Sequence, residues 1–129
     1  MAISRLNSRA RARRVGYATL ALLLLASIIY EAGKHATGYW QIGAFAVGPD
    51  LALLYGGGRG LARGQLHPRA VRPYNAVHRF WGPAALGALS AIPAVPVGYF
   101  IGALAWGLHI ALDRSVGYGL RTRDGFQRP

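Results

Sequence analysis

A chain of 129 residues with fifteen Lys and Arg against four acids carries a net charge of +11, yet 53% of it is hydrophobic. Such a charge on a soluble domain would point to nucleic acid, but here the basic residues flank runs such as YATLALLLLASIIY and VPVGYFIGALAWGLHIAL, which a soluble nucleic-acid module does not leave so free of charge. The absence of cysteine excludes disulfides and thiolate metal sites.

The chain opens on a basic segment, residues 1–14, with Arg5, Arg9, Arg11, Arg13 and Arg14 and no acid. A first helix is predicted over Val15–Tyr30. A basic start before an apolar run also describes a signal peptide, but this run is long and the following SIIYEAGKHA lacks a small-x-small cleavage site, so the helix is expected to be retained. The second predicted helix is Tyr39–Tyr55, carrying Pro49 and Asp50 and closed by GGGRG at Gly56 to Gly60. A basic loop follows, with Arg59, Arg63, Arg69 and Arg72. The third helix is predicted over Tyr74–Ile92, with Pro73 at its first position. It is the most polar of the four, because Asn75, His78 and Arg79 fall in its first turns. Pro93 and Pro96 mark a tight turn into the fourth, Val95–Asp113, and residues 114–129 form a basic tail with Arg114, Arg121, Arg123 and Arg128. At 1.5 Å per residue these helices measure roughly 24 to 29 Å, close to a hydrocarbon core of about 30 Å.

The placement of charge orders the four. Only Lys34 lies between the first and second helices, and the connection between third and fourth has no charge, so all other cations share one side. Cationic flanks stay in the cytoplasm during insertion. The expected fold is therefore all-α, an integral membrane four-helix bundle over residues 15–113, multi-pass in the inner (plasma) membrane, with cytoplasmic N- and C-termini. Membrane lipids are the expected partners. Arg11, Arg13, Arg14, Arg59, Arg63, Arg69, Arg72, Arg114 and Arg121 would face anionic headgroups, at about 1 kcal/mol each, and no nucleic acid is expected. Tyr30, Tyr39, Trp40 and Tyr99 fall near the outer boundary, and Tyr17, Tyr55, Tyr74, Trp81 and Tyr118 near the inner one, as in interfacial belts. Gly98 and Gly102 form a GxxxG, and Gly82, Ala85 and Ala88 a smooth strip. Such surfaces serve close packing within a bundle or against a larger membrane protein complex.

Ionisable groups inside such helices are costly and need a partner. Asp50 lies five residues, or roughly 8 Å, above the inner end of the second helix. His109 and Asp113, four apart, share a face of the fourth, and Asn75 and His78, three apart, share a face of the third. These five residues thus sit at similar depth and form one candidate site. Pro49 should free the carbonyl of Phe45, and Pro83 that of Arg79, inside this region. Three uses are open. Asp50, His78, His109 and Asp113 are suitable ligands for a divalent metal such as zinc, manganese or iron. His78 and His109 are also axial-ligand types for haem or chlorophyll. The third use is a hydrogen-bonded cluster that fixes packing, with Arg79 or Arg114 neutralising Asp50 or Asp113. His35 and His67 fall in loops and are expected to be solvated, and GGGRG leads to no GK[ST], which excludes a P-loop.

WGLHIALDRSVGYGLRTRDGF, from Trp106 to Phe126, together with GPDLALLYGGG around Asp50 and RPYNAVH ending at His78, resembles a bacterial integral-membrane family, domain of unknown function 4260. The resemblance covers Val15 to Phe126 and implies a fold and marked positions but no reaction. Where family members often carry an acid at the start of the first helix, this chain has Arg14, Val15 and Gly16. The expected function is that of a small accessory or scaffold subunit packing against another membrane component. The alternatives are a membrane-embedded metal-dependent hydrolase of a lipid substrate, with Asn75 orienting the substrate, and a haem- or pigment-binding subunit through His78 and His109.

Overall fold

The computed structural model describes residues 2–128. The chain is all-helical: α1 (Ala2–His35), α2 (Tyr39–Val47), a 3-10 turn over Gly48–Asp50, α3 (Leu51–Tyr55), α4 (Pro68–Val77), α5 (Trp81–Leu89) and α6 (Val97–Val116). Among the described residues there is no strand, only an isolated antiparallel bridge between Arg121 and Gln127.

The first helix is longer than predicted. Ala and Arg are good helix formers and no proline precedes Pro49, so the basic segment continues as helix back to Ala2. It ends where Ala36 and Gly38 take positive φ, 48° and 91°. Gly38 is required there for a second reason, since a Cβ would lie 2.7 Å from the side chain of Ile101. The predicted second helix is divided at the 3-10 turn, as proline in a helix interior dictates.

The third departs most. It starts earlier, with Pro68 rather than Pro73 in the first turn, and His67 caps it by accepting from the Arg69 N–H at 3.2 Å. Pro73 lies inside α4. The helix then breaks over residues 78–80. Pro83 cannot donate to the Arg79 carbonyl, which accepts instead from Gly82 at 3.2 Å, so that carbonyl is not left free as expected. The fourth helix closes on Gly117, at φ 98°, with Tyr118 N–H donating to the Asp113 carbonyl at 2.8 Å.

α6 is the axis of the molecule. α1 runs antiparallel along it, with Leu24 facing Gly107 and Ile28 and Ala32 clustered with Ile101 and Ala105. α2 runs with it: Gln41 fills the space at Gly98, and Phe45 that at Gly102. α5 returns along it, with Gly82 against Trp106 and Gly87 against Ala103. The GxxxG and Gly82 of the smooth strip are thus spent within the chain, while Ala85 and Ala88 stay exposed. The arginine-bearing segments meet at one end, where Arg14 covers Gly117, Arg69 reaches the Gly57 carbonyl and Arg121 the Gly64 carbonyl. Among the described residues one helix, α1 from Arg5 to His35, is long and apolar enough to cross a membrane. The second and third expected spans are each divided into shorter pieces.

Candidate metal centre

Three elements deliver four side chains to one point. Asp50 closes the 3-10 turn, His78 caps the C-terminus of α4, and His109 and Asp113 lie one turn apart on α6. The two histidines meet with Nε2 atoms 3.2 Å apart. Each ring is held by its other nitrogen: Nδ1 of His109 lies 2.8 Å from the Ala46 carbonyl and Nδ1 of His78 2.8 Å from the Tyr74 carbonyl. A carbonyl only accepts, so both Nδ1 atoms carry hydrogen. Both Nε2 atoms of the neutral rings therefore present lone pairs.

The Ala46 carbonyl faces this ring because the α-helical ladder of α2 gives way to the 3-10 turn at Gly48. The turn at Pro49 thus acts, through the Ala46 carbonyl, on a histidine 63 residues beyond Ala46.

The carboxylates complete the set. Asp50 Oδ1 is 3.5 Å from His109 Nε2 and 3.7 Å from His78 Nε2, and Asp113 Oδ2 is 3.6 and 3.5 Å from the same atoms. Two lone pairs and two carboxylates face one another with no donor between them. Acceptors this close are bridged by a proton, a cation or water from the open side. Ligand atoms on a tetrahedral ion with bonds of 2.0–2.2 Å stand about 3.3–3.6 Å apart, close to the 3.5–3.7 Å from each carboxylate to the two Nε2 atoms, and those of Asp50, His78 and His109 all lie within 4.8 Å of one another. The donor set fits a divalent metal. It does not fit a macrocycle ligated by both histidines, since nitrogens 3.2 Å apart and flanked by carboxylates leave no slot for one.

Access is one-sided. His78 is fully buried and His109 nearly so, whereas the Asp50 side chain is 49% exposed. The Tyr74 ring stacks on His78 at 3.9 Å, with the Arg121 guanidinium 5.2 Å from its centroid. Tyr74 was expected in an interfacial belt and is instead a buried support of the centre.

Of the five predicted site residues the structure brings four together and places Asn75 elsewhere. Asn75 Nδ2 donates to the Arg121 carbonyl at 3.0 Å and its Oδ1 accepts from the Arg121 N–H at 2.7 Å, pinning the C-terminal segment. Its amide reproduces the donor–acceptor pair of a strand neighbour and faces the Arg121 backbone. Arg114 does not neutralise an acid. Its Nη2 donates to the His78 carbonyl at 2.7 Å and its Nη1 to the Tyr118 carbonyl at 3.2 Å. Among the described residues every carboxylate partner within salt-bridge reach is a histidine. Arg11, Arg13, Arg14, Arg59, Arg63 and Arg72 are exposed. Arg69, Arg114 and Arg121 are turned onto backbone carbonyls. His35 pairs with Glu31 at 3.2 Å and His67 is a cap, so neither is a loop bystander.

A family model described as Domain of unknown function (DUF4260) matches residues 15–129. No curated protein and no solved structure matches the chain.

Proposed function

The chain belongs to the DUF4260 family, and from that premise we propose that it is a membrane-embedded metal-dependent hydrolase acting on a lipid substrate. The observation that carries the reading is the convergence of two tautomer-locked imidazoles and two carboxylates with no donor among them. A divalent ion bound there would supply a Lewis acid and lower the pKa of a bound water toward neutrality. Asp50, His78 and His109, whose ligand atoms lie within 4.8 Å of one another, would hold the ion together with Asp113, and the half-exposed Asp50 marks the side on which water would enter. The Ala46 and Tyr74 carbonyls keep both rings aimed, as outer partners of metal-bound histidines do.

Two features support the lipid and the membrane. An apolar groove of about 190 Å³, lined by Ala44, Phe45, Gly48, Pro49, Val77 and Trp106, adjoins the centre and suits an alkyl chain. Leu22, Leu23 and Ile29 on α1, Tyr39 and Trp40 on α2, Leu54 on α3 and Trp81 and Leu89 on α5 are all exposed. A soluble monomer does not present apolar surface on so many sides. With the arginines gathered at one end, the arrangement supports an inner-membrane bundle whose centre lies near the cytoplasmic face. The accessory-subunit reading stands as the second one: Gly82, Gly98 and Gly102 are occupied by Trp106, Gln41 and Phe45 of the same chain, but Ala85 and Ala88 are exposed. Co-purification of one large partner in mild detergent would favour that reading.

The test is elemental analysis of protein purified in mild detergent, followed by assay of esters and phosphoesters of long-chain lipids. One equivalent of divalent metal is expected, lost in His109→Ala together with hydrolysis while the helix content stays. A folded, metal-free wild type that takes up no added zinc or manganese would sink the proposal.

A further inference from the structure

The seam where α1 passes the C-terminal segment holds a second polar cavity, of about 430 Å³. Arg13 and Arg14 line it from α1, Arg114 from the end of α6 and Arg128 from the tail, with Tyr17 and Tyr118 at its sides. We propose that this pocket binds a phosphate-bearing anion, a phosphate mono- or diester.

Four guanidinium groups repel one another within a Debye length of about 8 Å, and among the described residues no carboxylate pairs with any of them. Something other than an acidic side chain balances this charge. The donors are also unspent. Arg13 and Arg14 make no hydrogen bond to a described residue, and Arg128 uses its Nε on the Arg121 carbonyl at 3.1 Å, leaving both terminal nitrogens. Arg114 is the one member held rigidly, by the His78 and Tyr118 carbonyls. Guanidinium forks match the oxygens of phosphate in pairs, which a carboxylate-sized or monovalent inorganic anion would not use fully. A bounded pocket rather than a long basic track selects a single headgroup-sized ligand over a nucleic acid.

Its height on α1 agrees. Arg13 and Arg14 are the last cations before the uncharged run that begins at Val15, the level at which a lipid phosphate would sit. The same chemistry also suits a soluble phosphoester. The pocket meets the metal centre only through Arg114 on the His78 carbonyl, and the variants below leave both in place, so loss of phosphate binding is judged apart from metal binding.

The test uses the full chain in a nonionic detergent, titrated with inorganic phosphate and glycerol phosphate, and then in phosphatidylcholine vesicles with and without phosphatidic acid. Saturable binding of at least one phosphate probe is expected, weakened at least tenfold in the double variant Arg13→Gln, Arg128→Gln. Arg59→Gln with Arg63→Gln removes the same charge from the exposed loop and should weaken it less than twofold. Binding of phosphatidic acid alone identifies a lipid headgroup as ligand, and binding of the soluble probes identifies a free phosphoester. Equal loss in both double variants would show a diffuse charge effect and overturn the pocket, as would an absence of saturable binding to every probe. If the first pair fails to fold, Arg14→Gln carries the same expectation.

Discussion

α1 and α6 are the two longest helices, both apolar through their middles, and they do opposite things. On α6 Gly98, Ile101, Gly102, Ala103, Ala105, Gly107, His109, Ile110 and Ala111 are buried, so three other helices close around it. Among the described side chains of α1 burial is confined to Ala21, Ile28 and Ala32, and neighbouring leucines point away from the protein, Leu22 at 68% and Leu23 at 62% exposed. The difference lies in residue size. Small residues let backbones approach and become the interior, while bulky side chains are left to whatever surrounds the molecule. The contrast also explains where chemistry resides. Only the helix enclosed by its neighbours can present His109 and Asp113 to groups on two other elements.

That contrast breaks most visibly at matched apolar truncations. Ile101→Ala on α6, a fully buried side chain, is expected to cost about 3 kcal/mol, whereas Leu23→Ala on α1 should cost less than about 0.5 kcal/mol. Chemical unfolding in detergent reads both, and equal costs would mean that α1 is buried by a partner. Asn75→Ala removes two hydrogen bonds to the Arg121 backbone and should cost about 2 kcal/mol. Limited proteolysis should then cut the C-terminal segment first, with bound metal unchanged; loss of the metal instead would return Asn75 to the centre. The smallest effects carry opposite signs. At Gly102 an added Cβ lies 2.7 and 3.0 Å from the Phe45 ring, so Gly102→Ala should destabilise by about 1 to 2 kcal/mol. At Gly16 nothing stands within 4 Å, and Gly16→Ala should stabilise the helix by about 0.5 kcal/mol. Melting curves of the pair test whether α6 is the closed face and α1 the open one.

Much of this could be read from the residues. The three sequence blocks pointed to the family that the family model matches over residues 15–129. The all-helical class followed from the length of the apolar runs. The four candidate ligands, two Asp and two His, stand out because acids and histidines are scarce among apolar residues. Three-residue spacing puts Asn75 beside His78 on one face, but a segment 46 positions away decides what that amide meets, here the Arg121 backbone. The third helix was drawn unbroken because its prolines were weighed singly. Pro73 is tolerated inside α4, and the break comes instead at residues 78–80, ahead of Pro83. The GxxxG gave a close approach without saying to what, since lipid, partner and own chain all accept a smooth strip.

The residues by themselves determined that the chain is helical, that its cations gather at one end, and that His109 and Asp113 share a face, because 3.6 residues per turn makes these local matters. Only the tertiary structure decided that His78 and His109 meet through their Nε2 atoms. That choice rests on two carbonyls, Tyr74 and Ala46, which claim the Nδ1 hydrogens. The second faces the ring only because the turn at Pro49 interrupts α2 just where α6 passes, and a contact between residues 63 apart is set by how helices pack, not by what any one helix contains.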